Sequence, residues 1–73
     1  MKKNKKLILV GAGELAEIAY EYFTHDSEYE VVAFSVHKKY ITEPRLHDLP
    51  VVEFETLEEI YSPKGCEVFV AVP

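Results

Sequence analysis

Residues 6–10, Lys-Leu-Ile-Leu-Val, are apolar after the first position without alternation, the pattern of a strand buried on both faces of a parallel sheet. Gly11-Ala12-Gly13 breaks the run. From Glu14 the period changes. Leu15, Ile18, Ala19 and Tyr22 fall at i, i+3, i+4 and i+7, predicting a helix with those residues on its apolar face and Glu14, Glu17 and Glu21 in solvent. Thr24-His25-Asp26-Ser27 marks the helix exit, and Tyr29 to Val36 is a second strand centred on Val31-Val32-Ala33-Phe34. From His37 to Asp48 the charge is mixed, Pro44 intervenes and no period holds, so this stretch is expected to be a loop. Leu49-Pro50-Val51-Val52 gives a short third strand. Thr56-Leu57-Glu58-Glu59 matches a capping box, Thr56 capping a short helix and Glu59 reaching back. Ser62-Pro63-Lys64-Gly65 stops that helix, and Cys66 to Val72 is again a buried-type strand, ending at Pro73.

The order β-α-β-loop-β-α-β predicts an α/β fold: Rossmann-like βαβ units on a parallel sheet with right-handed crossovers, in one domain over residues 1–73. A sequence that stops directly behind a strand, with no covering helix, is expected to be a truncated half-domain. With 48% hydrophobic and 29% charged residues, the chain is expected to fold rather than stay disordered. Its stability is expected to be marginal, because a chain of this size buries only about 60–65% of its unfolded surface.

The net charge of −5 argues against nucleic acid as a partner, since that needs a basic footprint. Four of the eight basic residues, Lys2, Lys3, Lys5 and Lys6, crowd the start, leaving the remainder more acidic still. The apolar run behind them is too short for a signal peptide, and no stretch approaches the roughly 20 apolar residues of a membrane span. Cys66 is the only cysteine and has no internal disulfide partner, which fits a reducing cytoplasm.

Gly11-Ala12-Gly13-Glu14-Leu15-Ala16 fits G-x-G-x-x-G/A where that motif belongs, after a strand and opening a helix. Gly11 permits the tight turn, Gly13 lets a ligand's phosphates approach the backbone, and Ala16 allows close helix–sheet packing. Backbone N–H groups and the helix dipole favour an anion there. The alternative is a tight turn without a ligand. Glu14 favours it, since its carboxylate already complements the dipole and would repel a phosphate. An NAD site wants Asp or Glu at the end of the second strand to hold the ribose hydroxyls. Phe34-Ser35-Val36-His37 has no carboxylate, so NAD is disfavoured. Ser35, His37, Lys38 and Lys39 could instead meet a 2′-phosphate, although a solvated loop is the simpler reading of His37-Lys38-Lys39.

The other candidates are expected to be structural. His25, His37 and His47 lack metal-ligand spacing and read as surface or loop residues, so no metal site is expected. Cys66 reads as an inert core thiol. Glu53, Glu55, Glu58 and Glu59 read as a solvated face with a cap, and Tyr20, Tyr22, Phe23 and Tyr29 as packing around the first helix.

Residues 7–17 (Leu-Ile-Leu-Val-Gly-Ala-Gly-Glu-Leu-Ala-Glu), Glu30-Val31-Val32-Ala33-Phe34 and Leu49-Pro50-Val51-Val52 resemble the amino-terminal domain of bacterial sugar O-acyltransferases. These include sialic-acid O-acetyltransferases and UDP-amino-sugar N-acetyltransferases. The resemblance runs from about Lys5 to Val72. It implies a binding domain for a nucleotide-activated sugar, in which Gly11, Ala12 and Gly13 line the nucleotide pocket with Ser35 and Val36 at the second-strand edge. Glu14 and His37, which flank those positions, complete the expected site. A left-handed β-helix of hexapeptide repeats would follow residue 73, supplying the catalytic histidine, the acetyl-CoA co-substrate site and a homotrimer. This stretch would then hold no catalytic residue and no cofactor of its own, and would self-associate at most through an uncovered edge. The chain departs from that family at Ser35-Val36-His37, where many members carry acidic residues, and at Glu14-Leu15, which replace the smaller or histidine-containing turns of some relatives. Two alternatives stand beside this reading: a fragment of an NADP-dependent oxidoreductase or dehydratase, and a Rossmann-like structural or interaction module without a ligand.

Overall fold

The computed structural model describes residues 3–71. Lys2, Val72 and Pro73, which the sequence reading assigns to a basic start and a strand end, lie outside them. The elements are β1 (Lys5–Val10), α1 (Glu14–Asp26), β2 (Tyr29–Val36), β3 (Arg45–Leu46), β4 (Leu49–Glu53), α2 (Leu57–Ile60) and β5 (Cys66–Val70). Five strands form one mixed sheet in the order β3-β4-β2-β1-β5. β4, β2, β1 and β5 run parallel, and β3 pairs antiparallel with β4 at one edge. The α/β class and the mostly parallel sheet follow the sequence pattern.

β1 is central, and its unbroken apolar run is buried on both faces. Leu7 and Leu9 join Ala16, Ala19, Val31 and Phe34 under α1, whereas Ile8 joins Ala33 and Leu57 on the α2 side. Leu7 pairs with Val31 but Ile8 with Ala33, so β2 carries one extra residue at Val32. This bulge lets Val31 and Phe34 serve the same core although an odd number of positions separates them.

The buried stripe of α1 differs from the predicted one. Ala16 and Ala19 are buried, and Tyr20 and Phe23 pack beside them. Leu15, Ile18 and Tyr22 are 44%, 63% and 56% exposed. Both stripes follow the i, i+3, i+4, i+7 spacing and share Ala19, so period alone does not choose between them. Packing does. The two alanines bring the helix close to the sheet, and the rings of Tyr20 and Phe23 reach Phe34, Tyr29 and Phe69 with centroids 5.2–5.8 Å apart. At the exit, Ser27 Oγ donates to Phe23 O, and Lys3 Nζ donates to the carbonyls of both Phe23 and Ser27, each at 2.7 Å. Of the helix's last carbonyls, that of Phe23 is thereby satisfied.

Three further expectations are corrected. Thr56 makes no capping bond among the described residues. α2 is entered instead from a 3-10 turn, Phe54–Thr56, in which the Leu57 N–H bonds to Phe54 O. The loop at 37–48 contains a 3-10 turn at Lys38–Tyr40 and the short strand β3. His47 and Asp48, with φ of 52° and 65°, close a two-residue hairpin into β4. β5 ends at Val70 and is an edge strand, not a buried one. Val68, Phe69 and Val70 are 48%, 44% and 60% exposed, and among the described residues β5 has a strand neighbour only on its β1 side.

Candidate functional site

The parallel strands all deliver their carboxyl ends to one rim of the sheet. There the chain leaves β1 through a turn that depends on its first glycine. Gly11 has φ of 126°, a conformation L side chains rarely adopt, and its N–H bonds to Ser35 O at 2.8 Å. Gly13 is different. It caps α1 with φ of −94°, open to any residue, and a Cβ placed there would meet no atom within 4 Å. The fold needs the glycine at 11; at 13 it leaves room for a side chain.

Beside this turn lies an open cavity of about 610 Å³. Its walls come from Gly11, Ala12 and Gly13, from Ser35, Val36 and His37 at the end of β2, and from the rings of Tyr40 and Phe54. Ser35 is fully buried, and its Oγ finds no hydrogen-bond partner among the described residues. A buried hydroxyl without a partner is uncommon and carries a desolvation cost. Glu14 opens α1, is exposed and lies outside the cavity lining. Of the seven residues singled out in the sequence, six therefore border one cavity.

The end of β2 holds a feature the sequence reading missed. β4 runs parallel to β2 with Val36 opposite Glu53, so the turn after β4 emerges beside His37. Glu55 Oε2 lies 3.1 Å from His37 Nδ1, and Oε1 accepts the Lys38 N–H at 3.0 Å. Backbone N–H groups, its own first and that of Lys38 next, hold the Glu55 carboxyl below its ordinary value, with His37 adding to the effect. Glu55 is thus an ionised group tied to the site, not one of a row of free surface acids. Its signal in the sequence was only indirect: parallel neighbours of known register bring residues 18 apart together.

His47 is also more than a loop histidine. Its ring stacks on Tyr20 with centroids 4.2 Å apart and planes 7° from parallel, while Nε2 meets the Glu17 carboxylate. The pair fastens the β3–β4 hairpin to α1, so Glu17 is engaged rather than free. On the opposite face a second cavity of about 540 Å³ is bordered by Ile8, Leu57, Tyr61 and Cys66. Cys66 is half-buried at its wall rather than enclosed in the core. Among the described residues, no three His, Cys, Asp or Glu side chains gather as metal ligands. No helix among them is long and apolar enough to cross a membrane.

No family model and no curated protein matches the chain. A solved structure does: RSP, a Rex-family repressor, superposes with a TM-score of 0.78 at 19% identity, over 97% of this chain and 35% of that one. The shared property is the fold, and the chain spans about a third of the neighbour's length. This finding overturns the resemblance to sugar O-acyltransferases and the nucleotide-sugar and acetyltransferase expectations resting on it. The quoted stretches, a glycine turn and two apolar strands, are what a buried parallel sheet requires in many proteins. The exclusion of nucleic acid falls as well. The neighbour is a repressor, and the charge of a stretch matching 35% of such a chain does not decide what the rest contacts.

Proposed function

We propose that the chain is a Rossmann-type nucleotide-binding module serving a regulatory rather than a catalytic part in a longer protein. The observation that carries this reading is Gly13. The backbone does not require a glycine there, yet the position is kept bare at the start of a 13-residue helix, beside the unpartnered Ser35 hydroxyl. A phosphate at the start of α1 would meet free N–H groups and the positive end of the helix dipole. The strand order supports the placement. β1 is followed on one side by β2 and on the other, after the crossover from β4, by β5, and ligands of open α/β sheets bind at such a switch point outside the carboxyl ends. Exposed Tyr40 and Phe54 offer ring faces for a base. The occurrence of the fold in a repressor favours a binding module over hydride transfer.

Thermal-shift titration with ADP, NAD+ and UDP tests the proposal. A nucleotide at 100 times its dissociation constant should add about 2.7 kcal/mol of stability. That corresponds to a rise in melting temperature of roughly 10 °C or more in so small a domain. No shift with any of them would refute nucleotide binding. It would favour the second reading, an interaction module, which has its own support in the exposed apolar band of Leu15, Ile18, Tyr22, Phe69 and Val70.

A further inference from the structure

We infer that His37 and Glu55 together read an unphosphorylated ribose, so that the site takes nucleotides with a free 2′-hydroxyl and rejects those with a 2′-phosphate. The inference rests on the nucleotide-binding proposal and names the ligand class of that same cavity. By sequence, the end of β2 offers only cations, His37, Lys38 and Lys39, which would suit a 2′-phosphate. Geometry reverses this, because each of these side chains already has a partner. His37 Nδ1 is 3.1 Å from Glu55 Oε2, Lys38 Nζ is 3.9 Å from Glu53 Oε1, and Lys39 Nζ lies 5.1 Å above the centre of the Tyr40 ring.

The carboxylate that an NAD site places on β2 itself is here supplied from the turn after β4. Glu55 accepts the Lys38 N–H and faces the His37 ring, so a neutral imidazole donates from Nδ1 and keeps Nε2 as an acceptor. His37 borders the cavity beside Val36, where that acceptor would take the proton of a ribose hydroxyl. A doubly charged phosphate at the same place would have to compete with Glu55 for His37 and with Glu53 for Lys38. Among the described residues no cation there is left unpaired to meet it.

The test is calorimetric titration of the 73-residue chain with NAD+ and NADP+, which differ only in the 2′-phosphate, repeated on Glu55→Gln. Circular dichroism confirms that the variant is folded. NAD+ should bind at least about tenfold more tightly than NADP+. Glu55→Gln should reduce that ratio to about threefold or less, because its amide removes the negative charge and, able to donate as well as accept, no longer fixes Nδ1 as the donor. Equal or tighter binding of NADP+ by the unmodified chain would overturn the inference while leaving nucleotide binding intact. So would a preference for NAD+ that survives Glu55→Gln unchanged. Failure of both nucleotides to bind would overturn the nucleotide-binding proposal itself, and this inference with it.

Discussion

Replacing each glycine of the turn by alanine should separate what the fold needs from what a ligand needs. At Gly11 the backbone sits at φ of 126°, and a Cβ forced into that region costs about 1–3 kcal/mol. For a domain of this size, 1 kcal/mol corresponds to roughly 4–8 °C, so Gly11→Ala should lower the melting temperature by roughly 4–20 °C. Gly13→Ala meets no such barrier. Its φ is −94°, and no atom lies within 4 Å of the new Cβ. Two smaller terms oppose each other. Alanine is a poorer helix cap than glycine, by several tenths of a kcal/mol, and it stiffens the unfolded chain by about 0.4–1 kcal/mol in favour of folding. The net change should lie within about 0.7 kcal/mol of zero. Nucleotide affinity should respond in the opposite order of interest: Gly13→Ala places a methyl group where phosphate approaches and should weaken binding about 10- to 100-fold, or about 1.4–2.8 kcal/mol. Melting curves with and without saturating ADP measure both quantities in one experiment. If Gly13→Ala melts as far below the unmodified chain as Gly11→Ala does, glycine at 13 has a structural cause. If it melts normally and still binds nucleotide with unchanged affinity, the space at Gly13 is not a phosphate cradle.

Phe34, fully buried between β1 and α1, should lose about 3–5 kcal/mol on truncation to alanine. Since a domain of this size holds roughly 4–11 kcal/mol in total, circular dichroism at 37 °C should show a large unfolded fraction, and a fully folded variant would contradict the assignment of the core. Asp48, at φ of 65° in the hairpin turn, should tolerate glycine with a gain of about 0.5–1 kcal/mol, read as a higher denaturation midpoint; a loss would show that its contact with Arg45 matters more than the backbone. Because the Glu55 carboxyl is held below its ordinary value of 4.5, its contribution is present above that pH and lost as pH falls through the lower folded value. Glu55→Gln should therefore flatten the acid side of the stability–pH curve measured by melting temperature, and an unchanged acid slope would show that the carboxylate is not tied down.

The parallel strands and α1 were legible because their residues carry a buried period and because glycine punctuates the strand-to-helix turn. The stripe of α1 that faces the sheet was not. Leu15, Ile18 and Tyr22 are as apolar as the Ala16, Tyr20 and Phe23 that are used, and only the depth of approach to the sheet distinguishes them. β5 read as buried because a parallel edge strand and a central one share the same composition. The glycine half of the candidate site was visible as a motif with correct flanks. The half at the end of β2 was only partly visible, because Glu55, which contacts His37 and Lys38, is placed there by the pairing of β4 with β2. Local sequence around Ser35-Val36-His37 has no trace of it. The family resemblance failed for a related reason: its residues report a sheet and a turn, which unrelated proteins share.

The most direct measurement is amide chemical-shift mapping of the 73-residue chain during titration with ADP. If the turn and the end of β2 form a nucleotide site, the largest shifts should cluster at residues 11–14 and 35–38, with the α2-side residues Leu57, Tyr61 and Cys66 nearly still. Saturable shifts centred on that second face, or no shifts at ligand concentrations far above the millimolar range, would contradict a nucleotide site at the glycine turn.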